Sequence, residues 1–117
     1  MTRIIVRSGP KYQNADRVFL VLDRAVKNLG MTVLIHSDAK GAESIAAGWA
    51  GLHGIETVLL QVDSKLYGKT SVPMLNSKML EEGKPDYVIA FPGGWDVDDL
   101  IRKAHEASVK VYEIDRL

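Results

Sequence analysis

Five short apolar runs rich in β-branched residues, each separated by a longer segment of helical periodicity, constrain this chain more than any other feature. The runs are "RIIV" (Arg3 to Val6), "TVLIH" (Thr32 to His36), "TVLLQV" (Thr57 to Val62), "DYVIAF" (Asp86 to Phe91) and "KVYEI" (Lys110 to Ile114). Runs of this length read as strands, not helices. After "SGPKYQ" breaks the first strand, Val18, Leu22, Ala25, Val26 and Leu29 recur at helical spacing, with Asn14 as N-cap and Gly30 just past the end. Gly41 to Gly54 reads as a second helix with Ile45, Trp49 and Leu52 on one face. Ser71 caps a third, with Pro73 in its first turn, a stripe of Val72, Leu75 and Met79, and Gly83 at its end. A fourth runs from Val97 to about Ser108. Strands this apolar are usually covered on both faces, which points to a parallel sheet. The expected fold is therefore α/β: a doubly wound, mostly parallel five-stranded sheet with helices on both faces.

Composition supports one domain over residues 1–117, because the chain has 46% hydrophobic and 26% charged residues. Lys+Arg and Asp+Glu both number 15, so no basic field recruits nucleic acid or an anionic membrane. No apolar run reaches the roughly eighteen residues of a membrane span, and "MTRIIVRSGPK" lacks the features of a secretory signal. The chain has no cysteine, which excludes disulfides, thiolate metal sites and cysteine nucleophiles, and is compatible with a cytoplasmic location.

Right-handed crossovers put every strand-to-helix loop at the carboxyl edge of such a sheet, where ligands bind near the switch in strand order. The candidate loops are Arg7 to Gln13, His36 to Gly41, Asp63 to Ser71 and Pro92 to Asp96. "GKT" (Gly68 to Thr70) resembles the tail of a P-loop, but the glycine needed five positions earlier is Asp63, so a mobile polar loop or lid is the better reading. His36, His53 and His105 have no partners at ligand spacing, and no metal site is expected. His36 ends a strand at the edge, as a packed core histidine or as a ligand contact. In "HSDAKGAES" the free N–H groups of the helix opened by Gly41, next to Lys40, form an anion site; the competing reading is ordinary capping by Ser37 or Asp38. In "FPGGWDVDDL" the glycines allow close backbone approach or positive φ, Asp96 can cap the helix, and Asp98 and Asp99 complement its positive end. Three carboxylates there oppose phosphate by something like ~1 kcal/mol each and suit ribose hydroxyls, a base amino group or bridging Mg²⁺ better.

The order "IIVRSG … VLIHSDAKGAESIAAGWA … PMLNSKMLEEGKPDYVIAFPGG … VKVYEI" resembles the small YspA/YpsA-related proteins of the SLOG superfamily, common in phages and actinobacteria and related to the LOG cytokinin-activating, lysine decarboxylase-like enzymes. The most specific part is Asn76, Met79, Leu80, Gly83 to Asp86 and Ala90 to Gly94. The resemblance implies a Rossmann-like fold, a nucleotide-derived ligand, and a homodimer. The LOG relatives hydrolyse the N-glycosidic bond of nucleoside monophosphates. The chain departs from the pattern at each loop. Arg7-Ser8-Gly9-Pro10 stands for Gly-Ser-Arg; Ser37, Asp38 and Glu43 replace two glycines and an aspartate; Asp96 and Val97 replace the Gly-Thr that grips phosphate; Leu100 stands where the LOG glutamate falls. Leu75 replaces an arginine, leaving Lys78 as the local cation.

The expected function is binding of a nucleotide or nucleotide-derived small molecule, with no other cofactor, through Ser8, Gly9, His36, Ser37, Asp38, Lys40, Gly41, Asn76, Lys78, Pro92, Gly93, Gly94, Trp95 and Asp96. A LOG-like N-glycosidase is the alternative, with Asp98 or Asp99 as the acid and Lys40, Lys78 or the Gly41 helix start as anchor. A third possibility is a non-enzymatic adaptor or phage–host protein with a decayed ligand site. There Trp95, read as a loop residue, would matter as an interface anchor, whereas Trp49 is read as core.

Overall fold

The computed structural model describes residues 1–115. Five strands form one sheet, β1 (Thr2–Arg7), β2 (Met31–His36), β3 (Glu56–Leu59), β4 (Tyr87–Ala90) and β5 (Lys110–Glu113), in the order β3-β2-β1-β4-β5. Every pairing is parallel. The connecting helices are α1 (Ala15–Arg24), α2 (Ala42–His53), the single turn α3 (Ser64–Tyr67), α4 (Ser71–Gly83) and α5 (Trp95–Glu106). The doubly wound, Rossmann-like reading holds.

Alternation along the central strands sorts the two faces. Ile4, Val6, Leu34 and Ile89 point to a core shared with Val18, Leu22 and Trp49 of α1 and α2. Ile5, Val33, Ile35 and Val88 point to a core shared with Leu75, Met79, Leu100 and Ala104 of α4 and α5. Each fully buried aliphatic side chain contributes roughly 1.5–3 kcal/mol relative to exposure, so β1, with Ile4, Ile5 and Val6 all at 0% exposure, is the anchor of both layers.

Several local expectations are corrected. Strand three is shorter than "TVLLQV" and lies at the sheet edge, where Leu59 stays 51% exposed, so coverage on both faces does not extend to it. Helix α1 is capped by Asn14 as expected, but its last turn, Ala25–Leu29, widens into a π-turn before left-handed Gly30 ends it. The buried face of α2 is Ala42, Glu43, Ala46, Trp49 and Ala50; Leu52 points out. Segment 63–71 is not plain loop: Asp63 caps α3, and a 3-10 turn, Gly68–Thr70, leads into α4. Ser71 is the first residue of α4, not its cap, and left-handed Lys84 follows Gly83 at its end. Helix α5 starts at Trp95 with Gly94 as N-cap, so Trp95 and Asp96 sit inside the first turn.

The strand order reverses between β1 and β4. Their ladder continues past the strands: Phe91 N–H donates to the Arg7 carbonyl at 2.8 Å and Gly9 N–H to the Pro92 carbonyl at 3.0 Å. The first and fourth loops are thereby joined at the switch point.

Candidate functional site

Glycines at the switch point serve packing. A Cβ on Gly93 would lie 2.4 Å from Val97 Cγ2 and 2.6 Å from the Gly9 nitrogen; one on Gly9 would lie 2.9 Å from Gly93 Cα. Gly41 has φ +102°, and a Cβ there would sit 2.5 Å from both the Gly9 oxygen and Ser8 Oγ. Three loops therefore touch backbone to backbone. Gly94 differs, since a Cβ would meet only Asp96 Oδ1 at 3.9 Å.

The start of α2 is closed from within the protein. Neither Ser37 nor Asp38 caps it; the Ala42 N–H donates to Ser8 Oγ, from the first loop, at 2.8 Å. Ser37 instead holds Glu43, whose Oε2 accepts the Ser37 N–H at 3.2 Å and a short hydrogen bond from Ser37 Oγ. Glu43 is fully buried, and its Oε2 lies 3.8 Å from Arg7 Nη1. Burial pushes the Glu43 carboxyl above its ordinary value, and the Arg7 charge and the hydrogen bonds from Ser37 and Ser8 recover only part of that shift. Arg7 itself ends β1 at 2% exposure, under α4, where Nη1 donates to Met79 Sδ at 3.9 Å. Arg7 Nε, Glu43 Oε1 and Asn76 Oδ1 are buried without a hydrogen-bond partner among the described residues.

A pocket of about 260 Å³ opens above Arg7 at the carboxyl edge. Arg7 and Ser8 line it, with Asp38, Ala39 and Lys40 from the second loop and Asp96 from α5. Val62, Val72 and Leu75 form an apolar wall, flanked by Ser64 and Ser71. A second cavity, about 440 Å³, lies by the other side of the first loop and is lined by Gly9, Tyr12, Pro92, Gly93 and Gly94 among others.

The expected site residues therefore divide. Ser8, Asp38, Lys40 and Asp96 converge on the first pocket, and Gly9, Pro92, Gly93 and Gly94 on the second. Gly41 and Ser37 lie behind, in the contacts just described. His36 is half-buried, its Nδ1 donating to the Ser37 carbonyl at 3.0 Å. Asn76 is buried between helices, donating to the Asp96 carbonyl at 2.9 Å and to Asp99 Oδ2 at 3.0 Å. Lys78 donates to the Gln61 carbonyl at 3.0 Å in an outer groove. Trp95 is 61% exposed and lines neither pocket, whereas Trp49 is core and donates from Nε1 to Asp23 at 3.0 Å.

The two acids considered for catalysis also lie apart. Asp98 is exposed on a separate crevice with Glu113 and Asp115. Burial works against the Asp99 charge, but hydrogen bonds from Asn76, Lys103 and Arg102 outweigh it and hold the carboxyl below its ordinary value. Leu100 is fully buried core. Arg7 and Glu43 were not among the residues expected at the site. Their signals in the sequence are an arginine closing an apolar strand and an acid two residues beyond a helix-opening glycine.

Among the described residues no cluster of His, Cys, Asp or Glu could hold a metal, and no helix is long and apolar enough to cross a membrane. A parallel sheet with both helix layers and polar side chains gathered at its carboxyl edge defines the chain as a Rossmann-like α/β protein. It belongs to the YspA, cpYpsA-related SLOG family, whose model matches residues 2–67. That match spans β1 to α3, including Arg7, Ser8 and Glu43, and ends before α4 and the Pro-Gly-Gly loop. No curated protein matches the chain.

Proposed function

We propose that this protein binds a nucleotide or nucleotide-derived small molecule in the pocket above Arg7. The observation that carries this reading is the composition of that pocket: cationic Arg7 and Lys40, carboxylates Asp38 and Asp96, and an apolar wall of Val62, Val72 and Leu75, all beside the switch point. Charges of both signs next to an apolar surface suit a ligand with an anionic group, hydroxyls and a flat ring. Its volume, about 260 Å³, favours a small ligand or one part of a larger one. Membership of the SLOG family supports the same class of ligand. Hydrolysis is the weaker reading, because neither Asp98 nor Asp99 lines the pocket.

The test is a panel of nucleoside monophosphates, cyclic nucleotides and dinucleotide signals, followed by thermal shift and by release of free base. A ligand at a hundredfold its Kd should add about 2.7 kcal/mol of stability. Ala39→Trp, which fills the pocket, should abolish the shift while Gly94→Val retains it. No shift with any member of the panel refutes the reading; loss in Gly94→Val alone moves the ligand to the Pro-Gly-Gly loop; released base makes the protein a hydrolase.

A further inference from the structure

The guanidinium of Arg7 is short of acceptors. It carries five N–H donors in a rigid fork, and its side chain is 3% exposed. Its contacts among the described residues are a thioether sulfur at 3.9 Å, which is a weak acceptor, and Glu43 Oε2 at 3.8 Å, beyond hydrogen-bond distance. Ser37 holds that oxygen by its backbone N–H and its hydroxyl, and the Glu43–Arg7 pair stands open at 3.8 Å. Arg7 Nε has no hydrogen-bond partner among the described residues. A buried structural ion pair is stabilising when its geometry is close and its donors are filled; this pair has neither property. The same guanidinium lines the pocket, with Lys40 at the rim.

We propose that Arg7 is the anion anchor of this pocket, taking two oxygens of a carboxylate or phosphoryl group on its fork while Glu43 and Ser37 position it from behind. The proposal rests on the ligand reading above and adds where the ligand's charge lies. Bidentate oxyanions match the planar guanidinium and give the strongest hydrogen bonds available to it. Asp38 and Asp96 share the pocket and repel a multiply charged anion, so the favoured ligand has one anionic group there, with hydroxyl or amino donors for the two carboxylates. The alternative seat at the start of α5 carries Asp96 and Asp98 in its first turn, which opposes an anion at that end.

The direct readout is the Arg7 side-chain Nε–H resonance in a ¹⁵N spectrum, titrated with inorganic phosphate or acetate against chloride at equal ionic strength. A saturating shift of that resonance is expected, and the anion giving the tighter curve identifies the group. The double variant Arg7→Met/Glu43→Gln removes both members of the pair so that neither charge is left buried alone. It should bind the anion at least tenfold more weakly, while Lys110→Ala, at the opposite edge of the sheet, should bind as the parent does. An unmoved Nε–H resonance, or undiminished anion binding by the double variant, overturns the anchor. Nucleotides that bind the double variant with unchanged Kd overturn the anchor and leave the pocket reading intact. Simple anions that bind through Arg7 when no nucleotide does uphold the anchor and refute the nucleotide reading.

Discussion

Two long helices begin at the carboxyl edge of this sheet, each behind a glycine, and they solve the problem of their exposed N–H groups in opposite ways. At α2 the first loop reaches across to cap the helix through Ser8, and a buried acid, Glu43, faces a buried cation, Arg7. At α5 the cap is a bare glycine, and Asp96 turns back to accept from Val97 N–H at 2.9 Å, while Asp99 ties the helix to α4 through Asn76 and pairs with Lys103 one turn along α5. The α2 start is thus neutralised from within, with a cation left over on the pocket side; the α5 start is acidic and carries no such cation. A helix N-terminus is an anion site only if its own protein has not already satisfied it.

The largest expected effect comes from breaking the α2 side. Glu43→Ala leaves the Arg7 charge buried and unpaired and should cost about 3–5 kcal/mol in urea denaturation. A loss under about 1 kcal/mol would mean the pair holds nothing together. Next is Gly93→Ala, whose methyl group meets backbone and Val97; a cost of about 1–3 kcal/mol is expected from overpacking.

Smaller, but of opposite sign at the two helices, is the dependence on pH. The Glu43 carboxyl is raised in the folded state, so the native protein holds that proton longer than the unfolded chain does. Stability then falls as pH rises above the ordinary value of 4.5 and through the folded value. The Asp99 carboxyl is lowered, so its contribution is present above the ordinary value of 3.8 and is lost as pH falls through the folded value. Stability curves against pH should flatten on the higher side in Glu43→Gln and on the acid side in Asp99→Asn; matching changes in both variants would contradict the opposed shifts. The smallest effect is expected for Gly94→Ala, within about 0.5 kcal/mol, because a Cβ there has room. A loss as large as that of Gly93→Ala would erase the distinction between the two glycines.

The architecture was legible in the sequence because strand and helix periods alternate, and because Asn14, Gly30 and Gly54 punctuate the helices where the structure has caps. The carboxyl edge was legible for the same reason. Less legible was the role of each loop residue there. "PGG" reads as a ligand turn, yet Gly93 is needed for contact with Gly9, more than eighty positions away in the chain, which no local pattern encodes. Asp96 reads as a cap, but Gly94 takes that place. Arg7 reads as a polar residue after a strand, and its burial depends on Met79 of α4 covering it from the far side of the sequence. Spacing places Leu52 on the α2 core face, but Ala46 and Ala50 form the contact face and Leu52 points outward.

The meeting of Gly9, Gly41 and Gly93 has a consequence for how such a protein can diverge or be redesigned. Loops on a sheet edge are usually treated as separate modules, exchangeable one at a time to alter what is recognised. Here the first, second and fourth loops interlock through atoms of the main chain, so a change of length or side chain in one forces a compensating change in another. Diversity at this edge has to arise in coordinated steps or at the rim, in positions such as Asp38, Lys40 and Trp95, and a graft from a relative will succeed only if all three loops travel together.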